Sequence, residues 1–152
     1  MRLLLGPSSP AGRRGAFLLV RAALGLLCAA SEASMCAAMR VAVGHREATA
    51  LLVVFATSVA MFCASTTFLP SSFSMCGLAF AVSLSLLRRH RAAVHVAAVS
   101  ALLGWPFAGL ACVPVGLYAI GGLGLVRTVL HTSIAGLLTV LGTAVVDRLA
   151  YG

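Results

Sequence analysis

Eleven consecutive residues, Ser65 to Met75, gather six hydroxyls around one proline: Ser65, Thr66 and Thr67 lie before Pro70, and Ser71, Ser72 and Ser74 after it. Hydroxyls at this density can cap helix ends and satisfy backbone groups that a proline frees. They can also form a small polar platform that hydrogen-bonds a sugar or a phosphate. Ser71, next to the proline, and Ser72, one residue deeper in the following helix, are the candidates for that second role, and the capping role is favoured for Ser72.

Carboxylates are scarce. Glu32, Glu47 and Asp147 are the three acidic residues of the chain, and no two are close in sequence. There is no Ser/His/Asp set with interpretable geometry and no glycine-rich phosphate loop, so the residues by themselves name no catalytic group. His95 and His131 lie inside apolar runs. Neither has a second His, Cys, Asp or Glu three or four residues away, as a metal site on one helix would need. They are expected to be interior histidines with their hydrogen bonds satisfied, and no metal is expected. The five cysteines, Cys28, Cys36, Cys63, Cys76 and Cys112, form no Cys-x-x-Cys pair and read as small buried apolar residues, without disulfides.

The elements that hold these residues follow from composition. Of 152 residues 61% are hydrophobic and 9% charged, too little polar surface to cover a soluble globule. A bilayer core about 30 Å thick needs about 20 apolar residues per helix, and uncharged stretches of that length recur here. The expected fold is all-α, a polytopic transmembrane bundle of about six spans. A lead-in at residues 1–14, rich in Gly, Pro and Ser and expected to be flexible, precedes a helical domain at 15–152. Arg2, Arg13 and Arg14 before an apolar run resemble a signal peptide, but Arg21 within that run argues against cleavage.

The first span is expected over residues 15–39, the second over 48–69, and the third from the turn at Pro70 to Leu87. The 35 residues from Ala92 to Val126 contain no Arg, Lys, Asp or Glu. That is too long for one span, so the run divides at Trp105-Pro106 into a short and an ordinary helix, the second kinked by Pro114. A last span runs from Thr128 to Val146. Alternation puts the connections at 40–47, 88–91 and Arg127 on one face, with six arginines between them, and positive charge marks the cytosolic side. Pro70, Trp105 and Asp147 then face the lumen or the exterior. All eleven basic residues are Arg, placed mostly between apolar runs and not along a stripe, so nucleic acid is not an expected partner; membrane lipid is.

Arg21 and Glu32 occupy the first span and are costly there, at roughly 2.5 to 3.5 kcal/mol each on insertion scales. They share a helix face but are about 16 Å apart along the axis, so they do not pair. Each is expected to reach water from near an end of the span or to find partners on neighbouring helices. Gly116, Gly121, Gly122, Gly124 and Gly136 are expected at close helix contacts.

Four ordered segments resemble a known family. Phe68-Leu69-Pro70-Ser71-Ser72-Phe73 is followed about thirty residues later by Leu103-Gly104-Trp105-Pro106-Phe107. Ahead of these lies a helix with Arg21, Leu24, Cys28 and Glu32, and after them comes Asp147-Arg148-Leu149-Ala150-Tyr151-Gly152. The set is similar to the dolichyl-phosphate-mannose-dependent alpha-1,2-mannosyltransferases of N-glycan precursor assembly, in glycosyltransferase family 22.

The resemblance implies part of a GT-C type membrane domain in the endoplasmic reticulum membrane. The donor would be dolichyl phosphate mannose, the acceptor a dolichol-linked oligosaccharide, and no cofactor is implied. In that family an acidic pair in a luminal loop before the Arg21 helix is assigned as base. No acidic residue precedes Glu32 here. The chain is therefore expected to be a fragment, a truncated gene model or a degenerate copy, catalytically incomplete alone. Asp147, the one acid expected on the luminal face, is the remaining substrate-proximal candidate, with a structural role at a helix end as the competing one. A non-enzymatic polytopic protein, such as a transporter half or an assembly subunit, is the alternative; it would need internal repeats or a paired intramembrane charge, and neither is clear.

Overall fold

A computed structural model of the chain describes residues 10–59, 70–104 and 107–152, with side chains from residue 14 onward. The described elements are α1 (Pro10–Ala42), α2 (His45–Thr57), α3 (Pro70–Leu86), α4 (His90–Leu103), α5 (Ala108–Ala111), α6 (Val113–Leu123) and α7 (Leu125–Tyr151), and no strand occurs among the described residues.

Local chemistry sets the breaks. α1 ends where Gly44 takes φ 154°, open only to glycine, and Val43 N and Gly44 N both donate back to Met39 O. α3 starts on Pro70, whose missing N–H costs nothing in a first turn. α3 ends with Arg88 at φ 60°, Arg88 N donating to Ser85 O and Arg89 N to Leu84 O, a left-handed cap that usually carries glycine. Gly124 at φ 85° separates α6 from α7.

The helices form one bundle built on small residues. α1 runs parallel to α3, the Ser34 and Ser83 hydroxyls meeting at 3.2 Å. α3 and α4 are antiparallel, with Ser74 facing Ser100. α4 lies antiparallel to α6, the Cys112 thiol reaching Ala97 O, and parallel to α7, where His95 meets His131. The centre is Ala81, Ala93, Ala97 and Val115, with Leu78, Val82, Leu84, Val96 and Cys112 against it. Such short side chains let backbones approach, so van der Waals contact replaces the burial of large residues. Large apolar residues point outward instead, among them Leu18, Leu26, Val54, Leu130, Leu137 and Leu141. An inside-out bundle of this kind has lipid as its solvent. α1 from Arg14 to Ala42 and the whole of α7 are long and apolar enough to cross a membrane, and α3, α4 and α6 are shorter apolar helices. The protein is an all-α membrane protein.

Several expectations change in detail. α1 begins at Pro10, so residues 10–14, read as lead-in, form its first turn. The last helix starts at Leu125 and not at Thr128, and the connection before it is Gly124, with Arg127 already in its first turn. Pro114 bends nothing: the chain breaks at Cys112, and Pro114 sits in the first turn of α6, where its ring fits. The second span is helical to Thr57; Ser65, Thr66, Thr67, Cys63, Trp105 and Pro106 lie outside the described residues.

His90 packs its ring on Gly122 and edge-on to Tyr118, centroids 5.2 Å apart, so the α3–α4 turn and the Gly124 connection share an end of the bundle. α1, parallel to α3, ends there too. Single cysteines at His45 and Ser71 in a cysteine-free background should therefore label from opposite sides of the membrane. Labelling of both from one side would overturn this arrangement.

Candidate functional site

The end of the bundle remote from the arginine-rich turns holds the candidate residues. Ser71, Ser72 and Ser74 lie in the first turns of α3. Ser71 is exposed, whereas Ser72 is 8% and Ser74 4% exposed. The single Ser74 hydroxyl proton is shared between Pro70 O at 3.1 Å and Ser100 O at 3.3 Å, and Ser100 Oγ donates to Ser74 O at 3.1 Å. This reciprocal pair closes α3 on α4 over two glycines. A Cβ on Gly104 would meet Ser74 Oγ, Ser100 O at 2.8 Å and Pro70 O at 3.0 Å; one on Gly77 would meet Ser100 Oγ and, at 2.6 Å, Ser100 Cβ.

Asp147 lies near the end of α7, exposed, on a groove of about 430 Å³ between α7 and the last turns of α4. Val99, Leu103, Leu138 and Val146 line it with Thr139, Gly142 and Thr143. Thr139 Oγ1 donates to Ala135 O and Thr143 Oγ1 to Val140 O, so both hydroxyl protons are used within their own helix. The groove is an apolar channel with one carboxylate. Leu103 borders it and Gly104 touches Pro70 and Ser74, so Ser71, Ser72 and Asp147 gather around the end of α4. Chemically, this end offers hydroxyl hydrogen bonds, a single anion and apolar surface alongside.

Other residues fall differently. Arg21 is exposed with its guanidinium 5.5 Å from the Phe17 ring. Since Leu27 packs beside Phe73 and Cys76, Arg21 stands near the level of Pro70, eleven residues, about 16 Å, inside the start of α1. Glu32 does not reach an end: it lies ten residues, about 15 Å, from the end of α1. It accepts the Cys28 thiol at 3.3 Å, half-buried along the seam with α3. His95 is not a singly satisfied histidine. It meets His131 edge-on, centroids 5.2 Å apart, and His95 Nε2 is buried without a hydrogen-bond partner. Cys28 and Cys76 are buried and Cys36 and Cys112 half-buried, all as free thiols. Among the glycines expected at helix contacts, Gly122 and Gly136 make them, and Gly116 and Gly121 face open space.

The tight crossings at Gly77 and Gly104, and the serine pair across them, were missed by sequence reasoning, because their partners on the facing helix are 23 to 34 residues away and only register brings them together. Gly104 within the Gly-Trp-Pro segment was the one signal available.

Residues 3–152 match the model of the Alg9-like mannosyltransferase family. The chain belongs to that family. Among relatives of this Alg9-like chain, the Alpha-1,2-mannosyltransferase ALG9 of Arabidopsis thaliana is 38% identical over 123 residues, covering 81% of this chain and 21% of the relative. The Alpha-1,2-mannosyltransferase Alg9 of Drosophila melanogaster is 39% identical over 98 residues, covering 64% and 16%. The Alpha-1,2-mannosyltransferase algn-9 of Caenorhabditis elegans is 31% identical over 104 residues, covering 65% and 16%. The Alg9-like chain thus spans about a fifth or less of these relatives. No solved structure matches it.

Within an active context, Ser71 and Ser72 separate two roles. Ser72→Ala is expected to lower thermal stability by roughly 0.5 to 1.5 kcal/mol, with mannose transfer per folded molecule unchanged. Ser71→Ala should leave stability alone and lower turnover or raise the apparent KM. Unchanged transfer per folded molecule in both variants would remove these hydroxyls from the site.

Proposed function

We propose that this chain forms the membrane-embedded donor end of an alpha-1,2-mannosyltransferase that moves mannose from dolichyl phosphate mannose to a dolichol-linked oligosaccharide during N-glycan precursor assembly. Family membership along almost the whole chain carries the reading, and the activity for which three relatives are named supports it. The enzyme is a multi-pass protein of the endoplasmic reticulum membrane, with the Pro70 end toward the lumen and the arginine-rich end toward the cytosol.

In the transfer, an acceptor hydroxyl oxygen bonds to the anomeric carbon of mannose as the bond to the dolichyl phosphate oxygen breaks. A carboxylate takes the hydroxyl proton, and dolichyl phosphate leaves. This requires no cofactor. Ser71, exposed at the positive end of the α3 dipole, suits a donor phosphate or sugar hydroxyl. Asp147, at the edge of an apolar groove between α4 and α7, suits a position near the substrate.

A photoreactive dolichyl phosphate tests this. Cross-links are expected on α3 near Ser71 and on α7 near Asp147, competed by unlabelled dolichyl phosphate. Cross-links confined to residues 40–47 or 88–91 would contradict it.

A further inference from the structure

The arginine-rich end of the bundle is not used by the donor site and has its own construction. Arg40, Arg46, Arg88, Arg89, Arg91 and Arg127 gather there from α1, α2, the α3–α4 turn and α7, against one carboxylate, Glu47. Glu47 folds its carboxylate back over Gly44 at the start of α2. The six guanidiniums are all exposed.

The α3–α4 turn, which carries Arg88 and Arg89 and leads into Arg91, is held in place. Arg88 adopts φ 60°, a left-handed conformation that costs a side-chain-bearing residue energy and is normally left to glycine. Its guanidinium lies 5.5 Å from the centroid of the Tyr118 ring on α6. The same ring receives the edge of His90 at 5.2 Å, and His90 is pressed onto Gly122 and only 9% exposed. Tyr118 and His90 thus fasten the turn to α6, and Arg88, Arg89 and Arg91 lie exposed on it and in the first turn of α4.

The surface directly beneath is built for acyl chains. Leu87, Leu117, Leu125 and Val126 are exposed at the same end. Guanidiniums standing on such a collar lie in the headgroup layer of one leaflet, where phosphate is the abundant anion and pairs with guanidinium through two parallel hydrogen bonds. Tyr118, part exposed, has the apolar body and polar tip common at that depth.

We propose that this end is a binding surface for anionic glycerophospholipid headgroups, centred on Arg88, Arg89 and Arg91. The inference is independent of mannose transfer. A topology signal alone would need positive charge but no fixed turn; the Arg88–Tyr118–His90 stack is what points to a bound headgroup.

The test titrates the detergent-purified 152-residue chain with short-chain phosphatidylserine and, in parallel, short-chain phosphatidylcholine and inorganic phosphate. Phosphatidylserine should bind at least about tenfold more tightly than phosphatidylcholine, and the preference should fall steeply with salt. The variant R88Q/R89Q/R91Q should bind phosphatidylserine on the order of 100-fold more weakly. R14Q/R148Q, which removes charge from the opposite end, should bind as the parent does. R89Q/R91Q keeps the Arg88–Tyr118 contact, so a loss there with an unchanged circular dichroism spectrum cannot come from misfolding. Equal affinity for the two phospholipids, a preference indifferent to salt, equal losses from the two ends, or phosphate binding as tightly as phosphatidylserine would each overturn the proposal.

Discussion

Gly77→Leu is expected to leave no stably folded α3–α4 pair. Ser100 Cβ lies 2.6 Å from where even a first side-chain carbon at Gly77 would be placed, and the atom in the way belongs to the residue whose hydroxyl closes the crossing. A short side chain on a packed helix cannot swing aside, so the helices must separate. Overpacking of this kind costs typically about 1–3 kcal/mol in tolerant cores, and leucine adds three further carbons to a contact with no space. Gly77→Ala should be milder and should be rescued by Ser100→Gly, which moves the single side chain across the crossing, less about 0.5 to 1.5 kcal/mol for the lost hydrogen bond. Ser100→Ala should not rescue it, because the Cβ remains. Thermal unfolding in detergent of the four variants, read as a double-mutant cycle, checks this. Gly77→Ala as stable as the parent would contradict the crossing geometry.

The second large effect concerns turnover. The 152-residue chain alone is expected to transfer no mannose from dolichyl phosphate mannose. Its three carboxylates are dispersed: Glu32 is engaged with Cys28 at mid-depth on α1, Glu47 folds over Gly44 at the arginine-rich end, and Asp147 stands alone at the Pro70 end. A positioned general base is worth about 10²- to 10⁴-fold, and a lone exposed carboxylate with nothing to hold it offers little of that. Transfer by the purified chain at a rate comparable to that of the Arabidopsis relative would contradict this expectation. It would also assign the base to Asp147, which Asp147→Asn would then confirm by abolishing transfer.

Punctuation in the sequence was a good guide wherever a single residue ends a helix. Pro70 starts α3, the Arg88-Arg89-His90-Arg91 run marks the α3–α4 turn, and Gly104 stops α4, because each acts through its own backbone or charge. The break at Cys112 and the start of α7 at Leu125 were not legible. Both lie in uniformly apolar stretches where hydropathy has no contrast, and glycines outnumber the turns that need one. Side-chain partnerships were harder still. His95 with His131 and Ser74 with Ser100 join different helices, and spacing along one helix cannot reveal them. Glu32 was misplaced in depth because α1 continues to Ala42, three residues past the expected end, which carries the carboxylate further from water. Of the candidate site, the hydroxyls and Asp147 were readable as types, and their convergence on the end of α4 followed from the alternation of helix directions.

As proposed above, this chain is an interchangeable part of a mannosyltransferase membrane domain. The most direct measurement replaces the matched segment of the Arabidopsis relative with this chain and follows mannose transfer from dolichyl phosphate mannose to the dolichol-linked oligosaccharide. Transfer by the chimera within about tenfold of the parent, a barrier change of roughly 1.4 kcal/mol, is the predicted result. A chimera that folds and inserts as the parent does, yet transfers no mannose, would contradict it.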